Sequence, residues 1–226
     1  MSISIAIDGP AGAGKSTIAK KLAEKMNYIY VDTGAMYRTI ALFFLQKGVS
    51  GDDAGTIASM VDDIDIAITY EDGVQQLFLN GVNVTGQIRT AEVSRMASQT
   101  SAHGPVRKKL VELQRKIASE NNVIMDGRDI GTAVLPNAEV KIYLTASSRV
   151  RAERRYREFL EKGTDMTLDE VEKEIIERDH QDMTRAISPL VQAEDAVLVD
   201  SSDMTLEEVI ETIETIVADR GEKIGR

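Results

Sequence analysis

Residues 9 to 16 read Gly-Pro-Ala-Gly-Ala-Gly-Lys-Ser and match the spacing G-x-x-x-x-G-K-[ST]. The chemistry this spacing serves is the gripping of a triphosphate. Glycines let the backbone turn tightly and aim successive N–H groups at phosphate oxygens. A helix opening at Lys15 adds free N–H donors and a partial positive charge. Lys15 then reaches the β- and γ-phosphates, and the Ser16 hydroxyl takes a Mg²⁺ ligand position. The motif specifies nucleoside triphosphate phosphates without specifying the reaction.

Other candidates lie where apolar runs stop. Asp32-Thr33-Gly34 follows Tyr28 to Val31, and Asp126-Gly127-Arg128-Asp129 follows Val123 to Met125. Arg38 sits one turn into the helix after Thr33, which could itself be that helix's cap. Asp126 and Asp129 could be caps as well. Arg107 falls in a helical first turn, where a cation opposes the helix dipole, so another use for it is expected. Arginines crowd the stretch from Arg149 to Arg157, and Arg178, Asp182 and Arg185 close a later helix.

The elements that must position these groups follow from periodicity. Ile3, Ile5 and Ile7 mark a first buried strand, and Ile18, Ala19, Leu22, Ala23 and Met26 recur at helical spacing after it. Helices are predicted over 35–46, 50–63 and 106–119, and in the main over 87–103. Buried strands are predicted at 123–125, 140–144 and 196–199. Thr167-Leu-Asp-Glu170 and Thr205-Leu-Glu-Glu208 are capping boxes that open two further helices. Between Ile64 and Thr85 the pattern alternates, broken by Asp72-Gly73 and Asn80-Gly81, which predicts a small three-stranded antiparallel sheet. Strands alternating with helices give an α/β fold of the P-loop NTPase type: a parallel sheet flanked by helices, carrying that antiparallel insert. Ligands in such sheets bind beyond the carboxyl ends of the strands, where Asp8-Gly9, Asp32-Thr33-Gly34 and Asp126-Gly127-Arg128 should converge.

Composition narrows the partners. The 226 residues carry 27 Lys and Arg against 37 Asp and Glu, a net charge of −10. An acidic chain is a poor ligand for nucleic acid polymers, so an anionic substrate must be held by a local basic cluster. There is no cysteine, which excludes disulfides and Cys-type zinc sites. No apolar run approaches the ~20 residues that span a bilayer, and the N-terminus lacks a signal-peptide pattern. A soluble cytoplasmic protein, acting as a monomer and away from membranes, is expected.

The two histidines, His103 and His180, fall at no strand end. An alcohol or water acceptor would profit from a positioned base. A nucleoside monophosphate would not, because its second phosphate pKa of about 6 leaves it anionic near pH 7. The task is then to bring two anions together, which arginines and Mg²⁺ do. A GTPase switch would need N-K-x-D, which is absent. Asp52-Asp53-Ala54-Gly55 matches D-x-x-G but follows no strand. A small-alcohol kinase is the nearer rival, with little use for so many arginines.

Five motifs carry a resemblance. Gly9 to Thr17, Asp32-Thr-Gly-Ala-Met-Tyr-Arg38, Ile88-Arg-Thr90, Asp126-Gly-Arg-Asp-Ile-Gly-Thr132, and Arg178 to Arg185 with Ser188-Pro-Leu190 resemble the bacterial cytidylate kinase family, in its order and over nearly the whole chain. The resemblance implies reversible, Mg²⁺-dependent transfer of the ATP γ-phosphoryl group to CMP or dCMP. It places ATP on Gly9, Pro10, Ala11, Gly12, Ala13, Gly14, Lys15, Ser16 and Thr17, with Ser16 on the metal. It implies that Thr33, Arg38 and Arg128 serve the CMP phosphate, and that Ser98, Arg107, Asp129 and Arg185 read cytosine. Arg178 and Asp182 would hold the ribose. The helical stretch Arg151 to Arg157 resembles a mobile lid, whose Arg154 and Arg157, with Lys15 and Arg128, would act in catalysis. Thr33 stands where many relatives have serine and keeps the hydroxyl. The implied division is one kinase domain: a core (1–60, 105–147, 188–226), a monophosphate-binding insert (about 61–104) and a lid (about 148–187).

Overall fold

The computed structural model of the chain describes residues 2–161, 163 and 165–224, without the side chains of 221–224. Five parallel strands form the central sheet in the order β2 (Ile29–Asp32), β6 (Val123–Gly127), β1 (Ser4–Asp8), β7 (Val140–Thr145), β8 (Val197–Asp200). Side chains of successive strand residues point to opposite faces. Ile5 and Ile7 therefore pack with α1 (Lys15–Met26) and α8 (Leu206–Ile224), whereas Ala6 packs with α2 (Thr33–Gln46) and α5 (Gly104–Glu120). Both faces are covered, as a parallel sheet requires. No helix among the described residues is long and apolar enough to cross a membrane.

The antiparallel insert is present as β3 (Ile66–Glu71), β4 (Val74–Leu79) and β5 (Val82–Asn83). Its turns have positive φ at both central residues, Asp72-Gly73 and Asn80-Gly81, which is the type I′ geometry matching strand twist. Leu77 and Leu79 of β4 join the core beneath α2.

Several boundaries shift for local reasons. The helix predicted over 50–63 is α3 (Ala54–Met60), because the Asp53 carboxylate accepts the Thr56 N–H and caps it there. A 3₁₀ turn follows at Val61–Asp63. Asp53 thus explains the stray D-x-x-G match as a cap. Likewise α4 (Ala91–Thr100) is shorter than 87–103, since the Thr90 hydroxyl accepts from Val93 N–H. Thr33 does not cap α2. Asp32 does, accepting the Ala35 N–H at 2.7 Å, while the Thr33 hydroxyl donates to Asp126 O at 2.6 Å. Both predicted capping boxes form, at Thr167 of α7 (Leu168–Thr184) and at Thr205.

Two devices fix the loops at the carboxyl ends of the sheet. Gly9 has φ +149°, and a Cβ there would lie 1.9 Å from the Leu144 carbonyl oxygen of β7. Asp8 accepts the N–H groups of Ile130 (2.8 Å) and Gly131 (2.7 Å), and so fixes the turn that carries Arg128 and Asp129. Burial pushes the Asp8 carboxyl up to about 6, against the pull of those two bonds.

Gly9→Ala is expected to lower stability by more than about 2 kcal/mol, as backbone sits on both sides of the clash. Gly14→Ala, whose Cβ would meet only Ile18 Cδ1 at 3.7 Å, should cost less; equal melting temperatures would contradict this. A carboxyl raised in the fold stabilises it below its unfolded value of 3.8 and loses that contribution as pH rises through about 6. The melting temperature of Asp8→Asn minus that of wild type should therefore grow from pH 5 to pH 7.5. A pH-independent difference would refute the burial argument.

Candidate active site

A cleft of about 600 Å³ opens at the carboxyl ends of β1, β2 and β6. One wall is the Ala11 to Thr17 loop, with Arg154 and Arg155 of α6 (Ser148–Glu161) and the Met204 to Leu206 segment. The other carries Thr33, Arg38, Ser98, Arg107, Arg128, Asp129, Arg178, Asp182 and Arg185. Of the residues expected to bind nucleotide or to act in catalysis, the cleft gathers all but three. Gly9 is packed against β7. Pro10 contributes its carbonyl, which accepts from Lys15 Nζ at 2.7 Å. Arg157 is exposed and lines no part of the cleft. Helical spacing explains this: Arg151, Arg154, Arg155 and Glu158 share one face of α6, and Arg157 lies to its side.

Arg151 is an anchor within the arginine-dense stretch. It is buried, pairs with Asp179 at 2.7 Å, and donates to the carbonyls of Ala11 (2.9 Å) and Ala146 (2.8 Å). Arg154 donates to Ser201 O at 2.8 Å, and Arg155 lies over the Phe159 ring.

Nine cationic side chains face five carboxylates in the cleft, within a chain whose net charge is −10. Some cations are committed. Arg38 pairs with Asp32 at 3.2 Å and Arg128 with Asp182 at 2.8 Å. Arg107 is buried against Asp129, stacks over Tyr37 and donates to Ser101 O, which is the further use its helix position called for. Arg185 approaches Asp129 at 3.5 Å and Asp182 at 3.7 Å. Neither Asp126 nor Asp129 caps a helix: the first accepts from Ser16 and Tyr30, the second holds the two arginines.

Arg178 is different. It has no carboxylate partner among the described residues, and its Nε is buried without an acceptor. Burial, reinforced by the neighbouring Arg128 cation, draws its guanidinium down to about 10. Burial and Arg128 also hold the Lys15 ammonium well below its ordinary range. Such cations are stabilised by an incoming anion.

Ser16 Oγ donates to Asp126 Oδ2 at 2.8 Å beneath the glycine loop. The Tyr30 hydroxyl holds the other Asp126 oxygen at 2.8 Å. A hydroxyl and a carboxylate side by side are the hard oxygen ligands that Mg²⁺ takes alongside phosphates. Sequence reasoning missed Tyr30, which read only as a strand residue, and passed over the role of Asp8.

Comparison with known proteins identifies the family. The family model described as Cytidylate kinase matches residues 5–219. The cytidylate kinase of Carboxydothermus hydrogenoformans is 51% identical over 213 residues, covering 94% of this chain and 96% of that protein. That of Ligilactobacillus salivarius is 49% identical over 218 residues, 96% and 97% of the two chains. Among solved structures, an uncharacterized protein from Eubacterium ventriosum superposes with a TM-score of 0.54 at 12% identity, covering 96% of this chain and 99% of that one. A gluconokinase from Sinorhizobium meliloti does so with 0.50 at 14%, covering 98% and 95%. At these identities the structural matches speak to the fold alone. With a matching model from the first strand into the last helix, and relatives at half identity over nearly their full length, the chain belongs to the cytidylate kinase family.

Proposed function

We propose that this protein transfers the γ-phosphoryl group of ATP reversibly to CMP or dCMP, giving ADP and CDP or dCDP. The observation that carries the reading is the excess of cations in the cleft of an acidic protein, with Arg178 there in no ion pair among the described residues and its Nε buried without an acceptor. Both substrates are anions, and the acceptor oxygen needs no general base. What the site must supply is charge. Lys15 and the N–H groups of Ala11 to Thr17 are placed for the donor phosphates. Ser16 and Asp126 would hold Mg²⁺, which when bound would supply charge neutralisation at the donor phosphates. Arg38 and Arg128, beside Thr33, suit the acceptor phosphate. Arg154 and Arg155 enter from α6 toward the transferring group, and Arg157 would need a changed helix position to join them.

Recognition of the base follows from donors and acceptors. Cytosine presents an amino donor at N4 and acceptors at N3 and O2. Asp129, pinned by Arg107 and Arg185, keeps lone pairs free for the amino group. Arginine N–H groups and the Ser98 hydroxyl serve the acceptors. Uracil, with a carbonyl at that position, would face a carboxylate. Arg178 and Asp182 are assigned to the sugar end of the same wall. Action as a monomer is part of the proposal. We place the reaction in the cytoplasm, and assign a core (1–60, 105–147, 188–226), an insert (about 61–104) and a closing lid (about 148–187).

ADP release from ATP, assayed separately with CMP, dCMP, UMP, AMP and shikimate, should be fast with the first two and slow with the rest. Equal rates with every acceptor, or with none, would reject the assignment. Arg178→Gln should abolish the thermal shift produced by CMP, yet raise the melting temperature of the free protein by about 2–4 °C, the size of ~1 kcal/mol in a chain this long. A fall in that temperature would show that the arginine is already satisfied in the unliganded fold.

A further inference from the structure

The alternation of β4 sets an expectation that one residue breaks. Gln75, Leu77 and Leu79 share the face turned toward the core, and all three are buried. Leu77 and Leu79 obey the pattern, whereas Gln75 puts a side-chain amide where a leucine would pack. A buried amide is costly unless bonded, and this one is bonded on both ends. Its Oε1 accepts the Asp32 N–H at 2.8 Å, and its Nε2 donates to the Asp32 carbonyl at 3.4 Å.

Asp32 is the last residue of β2, and β2 is an edge strand of the central sheet. The Gln75 amide therefore stands in for one residue of a neighbouring strand, pairing with backbone that the sheet leaves open. Among the described residues, it makes every hydrogen bond between the strands of the insert and the central sheet. The Asp32 carboxylate, on the same residue, holds Arg38 at 3.2 Å and Arg89 at 3.4 Å and caps α2 through Ala35 N–H. A shift of the Asp32 backbone would move both arginines and the first turn of α2.

We infer that Gln75 is a positioning residue for the phosphoryl acceptor: it ties the insert to Asp32 and, through Asp32, fixes Arg38 against the acceptor phosphate. The inference rests on the proposed role of Arg38 and adds a residue that touches no substrate. It also gives the insert a task in the reaction, that of bracing the acceptor end from a second sheet. The violation of binary patterning on an otherwise apolar strand face is the kind of local inconsistency that marks function.

The test is a double-mutant cycle in the full chain. Gln75→Met keeps the length and shape of the side chain and removes both hydrogen bonds. It should raise KM for CMP roughly tenfold, the effect of losing about one net hydrogen bond in the acceptor site. Turnover at saturating CMP, KM for ATP and binding of cytidine, which lacks the phosphate, should stay within about twofold of wild type. In an Arg38→Ala background the same substitution should have little further effect, because its action passes through that arginine. An additive effect, an equal loss for cytidine or ATP, or an unchanged KM for CMP would overturn the proposal. If Gln75→Met melts early, Gln75→Leu restores the apolar pattern of the face and is read in the same way. Arg38→Ala alone separates the two levels. Unchanged CMP affinity there would remove Arg38 from the acceptor site and the Gln75 tether with it. A loss with Arg38→Ala but none with Gln75→Met would refute the tether only.

Discussion

The constraint on which the rest of the structure depends is the confinement of unbalanced positive charge. A chain with ten more acidic than basic residues keeps a cleft in which guanidinium groups outnumber carboxylates. Such a cluster is unfavourable to assemble in the free protein, since neighbouring cations repel one another. The fold bears that cost by partial pairing. Asp32, Asp129 and Asp182 each hold an arginine in place without satisfying all of its donors. These carboxylates orient the cations and moderate their mutual repulsion. Preorganisation of this kind is the main contribution a protein can make to phosphoryl transfer.

Positioning comes from strand ends and from the turns between elements. Asp8 and Asp32 end β1 and β2, and Asp126 is the next-to-last residue of β6; the registers set Asp126 opposite Asp32, and Gly127 opposite Asp8. Each carboxylate does a different task there. Asp8 fixes a turn, Asp32 orients arginines and caps a helix, and Asp126 faces the Ser16 hydroxyl. The same residue type near three strand ends thus diverges according to which N–H groups, hydroxyls and cations the surrounding loops bring within reach.

Most of the fold and much of the site were legible in the sequence. The glycine loop announces itself because its function needs particular residues at fixed spacing. The hairpins do so because φ > 0 at two successive positions nearly dictates Asp-Gly or Asn-Gly. Arg107 was legible as an anomaly, a cation at the wrong end of a helix. What escaped notice depends on contacts distant in the chain. Tyr30 meets Asp126 across 96 positions, and Gln75 meets Asp32 across 43, and no local pattern encodes either meeting. The arginine-dense helix misled for a related reason. Density of charge does not say which face looks inward, so Arg151 turned out an anchor and Arg155 a lining residue, while Arg157 faces outward.

The Arg151 clamp has a mechanical consequence. It grips the glycine loop through the Ala11 carbonyl, the end of β7 through Ala146 and the neighbouring helix through Asp179, all near the root of α6. Beyond the clamp, Ala152, Tyr156 and Phe159 pack α6 against Val171 and Ile175 of α7. The two helices are thus one packed unit, and the bolt that fastens that unit to the sheet passes through the very loop proposed to hold the donor.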